Sequence, residues 1–258
     1  MMVLIVMEFY IIFINNYEDC YFNDIGRELF KLGGAMTYAL KTNKKLALIA
    51  DTYTNILDAF LAINYKKIAT DDYKKLNFKP INTLEYFEND NVCISKINYT
   101  HKFICNEIQE LFTNAIFSNK ANMGVIYGKI NEIMNFFNDY ELNNYVCINI
   151  NKNTFVSNFY EKAYYNHFSN KKVIILVNDV NWAISAINFI NPRSIYFLIN
   201  YNLDRFTNFI TLASFNNMII DNNNFSWWCA YLGNKNKKIV VPENKLDYYH
   251  PTWIMQPL

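Results

Sequence analysis

Residues Asp221–Leu232 read DNNNFSWWCAYL, and the reading of this stretch decides the fold. Two of the four tryptophans, Trp227 and Trp228, stand side by side after three consecutive asparagines. The apolar segment Met218–Ile220 comes before them and Ile239–Val241 after. This pattern predicts strand, polar turn, short helix, strand. Asn223 or Asn224 is the expected N-cap of a helix starting near Phe225, because its amide oxygen can accept from the first free helical N–H groups. Such a turn aims backbone N–H groups at whatever lies above it and can hold an anion such as a phosphate. Asn222, Asn223, Asn224, Phe225 and Ser226 are therefore candidate contacts. The plainer alternative is a capped helix that buries both indoles in the core.

Upstream of this stretch the second half alternates regularly. Tyr145–Ile150, Val173–Val177 and Ile195–Ile199 are apolar runs of strand length. Asn158–Phe168, Val180–Ile190 and Asp204–Phe215 carry helical spacing between them. Repeated βα units of this size predict a doubly wound parallel sheet. In the first half, Tyr10–Ile14 reads as a buried strand, Ile25, Leu29, Leu32, Met36 and Leu40 recur at helical spacing, and Leu46–Ala50 is a second strand. Asn55–Ile63, Asn106–Phe117 and Lys129–Asn138 are expected helices, and Val92–Ile94 a short strand. Lys66–Asp90 is a charged connector without a clear period. Pro80 and the Asn-rich stretch near Glu141–Asn144 are the boundary signals, which divides the chain into residues 1–143 and 144–258.

Composition narrows the function. The 258 residues are 52% apolar and 18% charged, as in a globular protein with a sizeable core. A net charge of +1 gives no reason to expect nucleic acid or a charged membrane surface as partner. The Asn, Tyr and Phe richness fits an AT-rich genome of the kind carried by large DNA viruses or parasites. Cys20, Cys93, Cys105, Cys147 and Cys229 are odd in number and scattered, without zinc-site spacing or a disulfide framework. A reducing, cytoplasmic setting is expected. His101, His167 and His250 lie far apart, so no metal site is expected. Met1–Ile14 is apolar but interrupted by Glu8, has no basic flank, and is shorter than the roughly 20 residues that cross a bilayer, so a strand is expected rather than a signal or anchor.

Several strings resemble the alpha-1,2-fucosyltransferase family. NNNFSWWCAYL is similar to the family's NSSFSWWGAWL, and Asn208–Asp221, NFITLASFNNMIID, to its DLxLMSxCKHxIIA. DIGRELFKLGGAMTYALKTNKKLAL, from Asp24 to Leu48, resembles its opening GLGNQLFQxAxxxALAxxxxxxLxL, with Arg27 and Glu28 in place of the Asn-Gln pair after Gly26. Asn149–Phe155, NINKNTF, takes the position of its HIRRGDY. There Asn149 stands for the histidine, Asn151 and Lys152 for the arginine pair, and Thr154 for the aspartate. NFYEKAYYNHF, VIILVNDVNWAISAI and the tail with Pro251 and Trp253 also resemble family segments, with Asp179 and Trp182 matching.

The resemblance implies an α/β fold of two Rossmann-like domains with parallel sheets, a GT-B type glycosyltransferase. The domain of residues 144–258 would hold a nucleotide sugar, GDP-fucose, and that of residues 1–143 the acceptor glycan. It implies inverting transfer without a metal cofactor. The implied donor contacts are Asn149, Asn151, Lys152, Asp179 and Asn222–Ser226, and the implied acceptor-side loop is Gly26, Arg27 and Glu28. No catalytic residue is singled out. Lysine offers phosphate a point charge in place of arginine's bidentate fork. A relative that binds glycan or nucleotide without turnover is therefore the alternative. Asp179 also reads as a helix N-cap, and Lys152 as an ordinary loop lysine.

Overall fold

The computed structural model describes residues 10–13, 25–49, 66–68, 78–80, 91–94, 104, 106–187, 196–200, 204–243 and 250–258. The chain divides into two compact units, Met1–Ala115 and Ile116–Leu258.

In the first unit, β1 (Tyr10–Phe13), α1 (Ile25–Thr42) and β2 (Lys45–Ile49) form the expected strand–helix–strand unit. Further strands are β3 (Lys66–Ile68), β4 (Phe78–Pro80) and β5 (Asn91–Ile94), and the described strands form a parallel sheet in the order β3-β2-β1-β5-β4. Two strands thus lie in the charged connector that showed no period. Each is three residues long, too short to display alternation. Pro80 ends the edge strand β4, where a missing N–H is tolerated, and is not a linker residue. The expected helix over Asn55–Ile63 falls outside the described residues.

Helix α1 buries Ile25, Leu29, Leu32 and Met36 as the spacing predicts, but Leu40 is exposed. Asn43, at φ 53°, ends the helix in the left-handed region that asparagine tolerates. Its N–H and that of Lys44 close back onto the Leu40 and Ala39 carbonyls. Helix α2 (Asn106–Phe117) matches its expected span.

Helix α3 (Lys120–Phe137) starts nine residues before the expected Lys129, because Asn119 caps it by accepting from Ala121 and Asn122. Then follow β6 (Tyr145–Ile150), α4 (Ser157–His167), β7 (Lys172–Val177), α5 (Val180–Ala186), β8 (Tyr196–Asn200), α6 (Arg205–Ala213), β9 (Asn217–Ile219), α7 (Asn224–Tyr231), β10 (Lys238–Pro242) and β11 (Ile254–Gln256). The described strands pair in parallel, in the order β11-β10-β9-β6-β7-β8. All six residues of β6 are buried, Asn149 among them, as in a strand covered on both faces.

Both indoles of the opening stretch are fully buried. Trp227 and Trp228 meet edge to face at 5.2 Å, and Trp227 also packs on Tyr231 and Trp253. An indole's 150–250 Å² of area makes each burial worth roughly 4–6 kcal/mol at 25 cal/mol per Å². The far end of α7 is fixed by Lys237, whose Nζ donates to Ala213 at 2.7 Å and Cys229 at 2.8 Å. One ammonium thus closes the C-terminal ends of α6 and α7. Burial lowers its pKa to about 7. Gly233 beside it sits at φ 86°, and a Cβ there would lie 2.5 Å from the Ala213 carbonyl oxygen.

Candidate functional site

The order of the six-stranded sheet places a topological switch point between β6 and β9. The chain leaves β6 toward β7 and β8, then returns to the other side for β9, β10 and β11. The connections after β6 and β9 therefore diverge, and the crevice between their C-terminal ends is where open α/β sheets take ligands. The turn after β6 carries Asn151–Thr154, β9 leads into Asp221–Ser226, and β7, on the other side of β6, ends at Asn178 and Asp179.

Two polar clusters form there, with opposite character. One is enclosed. Asp221 is only 3% exposed and Ser226 is fully buried. The Ser226 hydroxyl donates to Asp221 Oδ1 at 2.6 Å, and Asn149 Nδ2 donates to the Ser226 oxygen. Asn223 Nδ2 also donates to Asp221 Oδ1, and Thr154 Oγ1 lies 3.4 Å from Asp221 Oδ2. Asn223, the N-cap of α7, accepts from the Ser226 N–H at 2.8 Å. Behind Asn149, the Tyr160 hydroxyl donates to the Asn149 carbonyl at 2.9 Å. Burial pushes the Asp221 pKa up to about 6, against the pull of the Ser226, Asn223 and Thr154 hydrogen bonds. Among the described residues no cation pairs with it.

The other cluster faces solvent. Lys152 Nζ lies 2.9 Å from Asp179 Oδ2, with 47% and 37% of the two side chains exposed. The second oxygen, Asp179 Oδ1, accepts from the Trp182 N–H at 3.0 Å and caps α5. That N–H, with the lysine second, holds the Asp179 pKa below the ordinary aspartate value. Asn178 ties the loops together: its Oδ1 accepts from the Lys152 N–H at 3.1 Å, and its Nδ2 donates to Asn151 Oδ1 at 3.2 Å. The backbone of Lys152 is thereby fixed while its ammonium extends on a flexible stem.

The expected donor contacts separate accordingly. Asn149, Asn223 and Ser226 join the enclosed cluster, and Asn151, Lys152 and Asp179 the exposed one. Asn222, Asn223 and Asn224 are half-buried at the turn, while Phe225 is buried against Phe209. Gly26 is buried in the first turn of α1, after β1 of the first unit; the side chains of Arg27 and Glu28 lie outside the described residues. Asp221, the centre of the enclosed cluster, was missed as a site residue. Its signal was a carboxylate closing the apolar run Met218–Ile220, at a point where the resembling family string has alanine. Among the described residues, no group of three or more His, Cys, Asp or Glu side chains is arranged to hold a metal ion. Nor is any described helix long and apolar enough to cross a membrane.

This fold has solved relatives. The chain is similar to the crystal structure of NodZ alpha-1,6-fucosyltransferase co-crystallized with GDP, with a TM-score of 0.55 and 14% identity over 86% of this chain and 91% of that one. The fucosyltransferase NodZ from Bradyrhizobium superposes with a TM-score of 0.54 at 13% identity, over 86% of this chain and 92% of that one. NodZ soaked with GDP-fucose gives 0.51 at 12% identity, over 87% of this chain and 92% of that one. No family model matches the sequence, and neither does any curated protein. At such identities the likeness fixes the α/β fold with its six-stranded parallel sheet.

Proposed function

We propose that this chain is a glycosyltransferase of GT-B type that takes fucose from GDP-fucose and passes it, with inversion and without a metal cofactor, to a glycan hydroxyl. In this reading residues 144–258 hold the donor, residues 1–143 receive the acceptor, and the enzyme works in the cytoplasm. The observation that carries it is the convergence of three strand-end loops, Asn151–Thr154, Asn178–Asp179 and Asp221–Ser226, at the switch point of the parallel sheet. The similarity to structures crystallised with GDP and soaked with GDP-fucose supports the choice of donor.

The division of labour follows from the chemistry of the two clusters. Lys152 turns from Asp179 to the diphosphate and offsets its charge. Its departure leaves Asp179 Oδ2 free to accept from a nucleoside N–H or hydroxyl. Asn151 and the Asn222–Phe225 turn supply neutral hydrogen bonds, and Asn149 and Ser226 hold that turn from beneath. During transfer the acceptor oxygen forms a bond to the anomeric carbon as the bond to the diphosphate oxygen breaks. The hydroxyl proton passes to a general base, and the charge gathers on the leaving nucleotide. On the acceptor side the reading uses Gly26, Arg27 and Glu28.

A panel of GDP, UDP, TDP and their sugars in a thermal-shift assay tests this. GDP and GDP-fucose are expected to raise Tm while the uridine and thymidine compounds leave it unchanged. Lys152→Ala is expected to weaken GDP about tenfold, as the loss of one charge-assisted phosphate contact. A second reading, binding without turnover, draws on the departures at Asn149–Thr154. It predicts no release of fucose from GDP-fucose, with the GDP shift where nucleotide is what it binds and no shift with any nucleotide where glycan is. Silence across the whole panel removes the transferase reading.

A further inference from the structure

The enclosed cluster contains a group that the transfer reaction does not use. Asp221 is a carboxylate 3% exposed, and among the described residues its hydrogen-bond donors are neutral: the side chains of Ser226, Asn223 and Thr154 and its own backbone N–H. A buried charge without a counter-charge is costly, and protein interiors normally replace it or neutralise it. It lies at the switch-point crevice, at the entry to α7. There the proposed donor would bring a diphosphate of the same sign as the carboxylate. Two like charges at one enclosed site are not both retained; the one that can take a proton does so.

We propose that Asp221 is a further functional residue of this site, the group that takes up a proton when the diphosphate of a nucleotide sugar docks. The inference rests on the donor-binding reading above.

The surroundings leave Asp221 as the acceptor. Among the described residues, the side chains that face it are neutral: Thr154 from the turn after β6, and Asn223 and Ser226 from α7, with Asn149 and Tyr160 behind Ser226. Lys152 and Asp179, the charged groups of the neighbouring loops, pair with each other. On the β10 side the chain passes from Pro242 to the exposed Glu243, and β10 meets this segment through the Val240 carbonyl, which accepts from Ile220. The described histidines lie elsewhere: His167 closes α4, and His250 packs near Tyr231 at the opposite end of α7. With its pKa raised to about 6, Asp221 is largely ionised at pH 7, within one unit of titrating. A neighbouring negative charge moves that midpoint upward, so the proton arrives with the ligand. Protonation does not break the cluster. Thr154 and Ser226 carry hydroxyls that can exchange the donor role for the acceptor role.

Isothermal titration calorimetry of the whole chain with GDP-fucose tests the proposal. The diphosphate diester of this probe has no proton of its own to exchange near neutrality. At pH 7, titrations in two buffers of different ionisation enthalpy are expected to show uptake approaching one proton per ligand bound. Affinity is expected to tighten as pH falls from 8 to 6, by up to about tenfold per unit. Asp221→Asn is isosteric and uncharged. It is expected to bind more tightly than the wild type at pH 8, with no uptake and a flat pH dependence. Binding by the wild type without proton uptake overturns the inference and leaves the donor reading intact. Uptake that persists in Asp221→Asn also overturns it, because another group then takes the proton. If GDP-fucose fails to bind at both pH 6 and pH 8, the donor reading itself falls and this inference with it.

Discussion

The loops that follow β6 and β9 and the loops that follow β6 and β7 stand on the same parallel sheet, yet their contacts are built on opposite principles. At the first, a carboxylate is sealed among neutral amides and hydroxyls. At the second, a lysine and a carboxylate meet in solvent, with about half and a third of their side chains exposed. The sealed cluster has few alternatives, since each donor lost leaves a buried polar atom that water cannot reach. The open pair is screened and has water as a ready substitute. One contact is therefore a fixed joint between two loops, and the other is a pair of groups able to change partners.

The most direct way to break this contrast is Ser226→Ala. It removes the donor to Asp221 Oδ1 and the acceptor for Asn149 Nδ2 in one step. Two enclosed polar groups lose a partner, one of them a carboxylate, which should cost about 3 kcal/mol of stability at pH 8. Urea unfolding gives the value. A loss below about 1 kcal/mol would mean that water enters the cluster and that it is not sealed.

Asp221→Asn acts in the opposite direction. The folded-state pKa of about 6 lies above the ordinary 3.8, so between those values the folded chain binds more protons than the unfolded one. The stability linked to Asp221 is thus fully present below pH 4 and is lost as pH rises through 6. Two pH units correspond to roughly 3 kcal/mol, and about 2 kcal/mol should be recovered at pH 8 by an amide that keeps most of the hydrogen bonds. The expected result is a variant more stable than the wild type at pH 8 and equal to it near pH 4, read from unfolding curves at both. A variant less stable at pH 8 would show that the charge itself holds the joint together.

The sequence made the scaffold of this contrast readable, but not the contrast itself. β6 and β7 are mainly apolar runs followed by polar residues, so their lengths follow from composition and burial. The Trp pair and the caps at Asp179 and Asn223 are local signals, confined to a few residues along the chain. The two clusters are not local. Lys152 meets Asp179 across 27 residues, Thr154 meets Asp221 across 67, and Asn149 meets Ser226 across 77. Only the strand order brings them together, and the order is fixed by how the whole sheet packs. Abundant asparagine obscured the rest: Asn43 and Asn138 end helices in the left-handed region, and Asn119 starts one, yet in the sequence they look like the many loop asparagines around them. Of the four three-residue strands described, β9 was legible from its apolar run just before the Trp pair, whereas β3, β4 and β11 carry no such neighbour and show no pattern.

The smallest expected effect is at the open pair, and it is the one that sharpens the comparison most. Asp179→Asn removes the charge facing Lys152 but keeps a side-chain oxygen for the Trp182 N–H, and asparagine caps a helix as well as aspartate does. The wild-type pKa is held low, so whatever stability the charge contributes is present above the ordinary aspartate range and disappears as pH falls through the lowered value. For an exposed pair that contribution is small, and Tm at pH 7 is expected to move by no more than about 2 °C, less still in high salt. Differential scanning calorimetry at two salt concentrations decides the matter. A salt-sensitive fall well beyond that would make Lys152 and Asp179 part of the folded frame, as rigid as the sealed cluster. Lys152 would then be too firmly held to turn toward a phosphate. A negligible change is what a lysine kept ready for another partner requires.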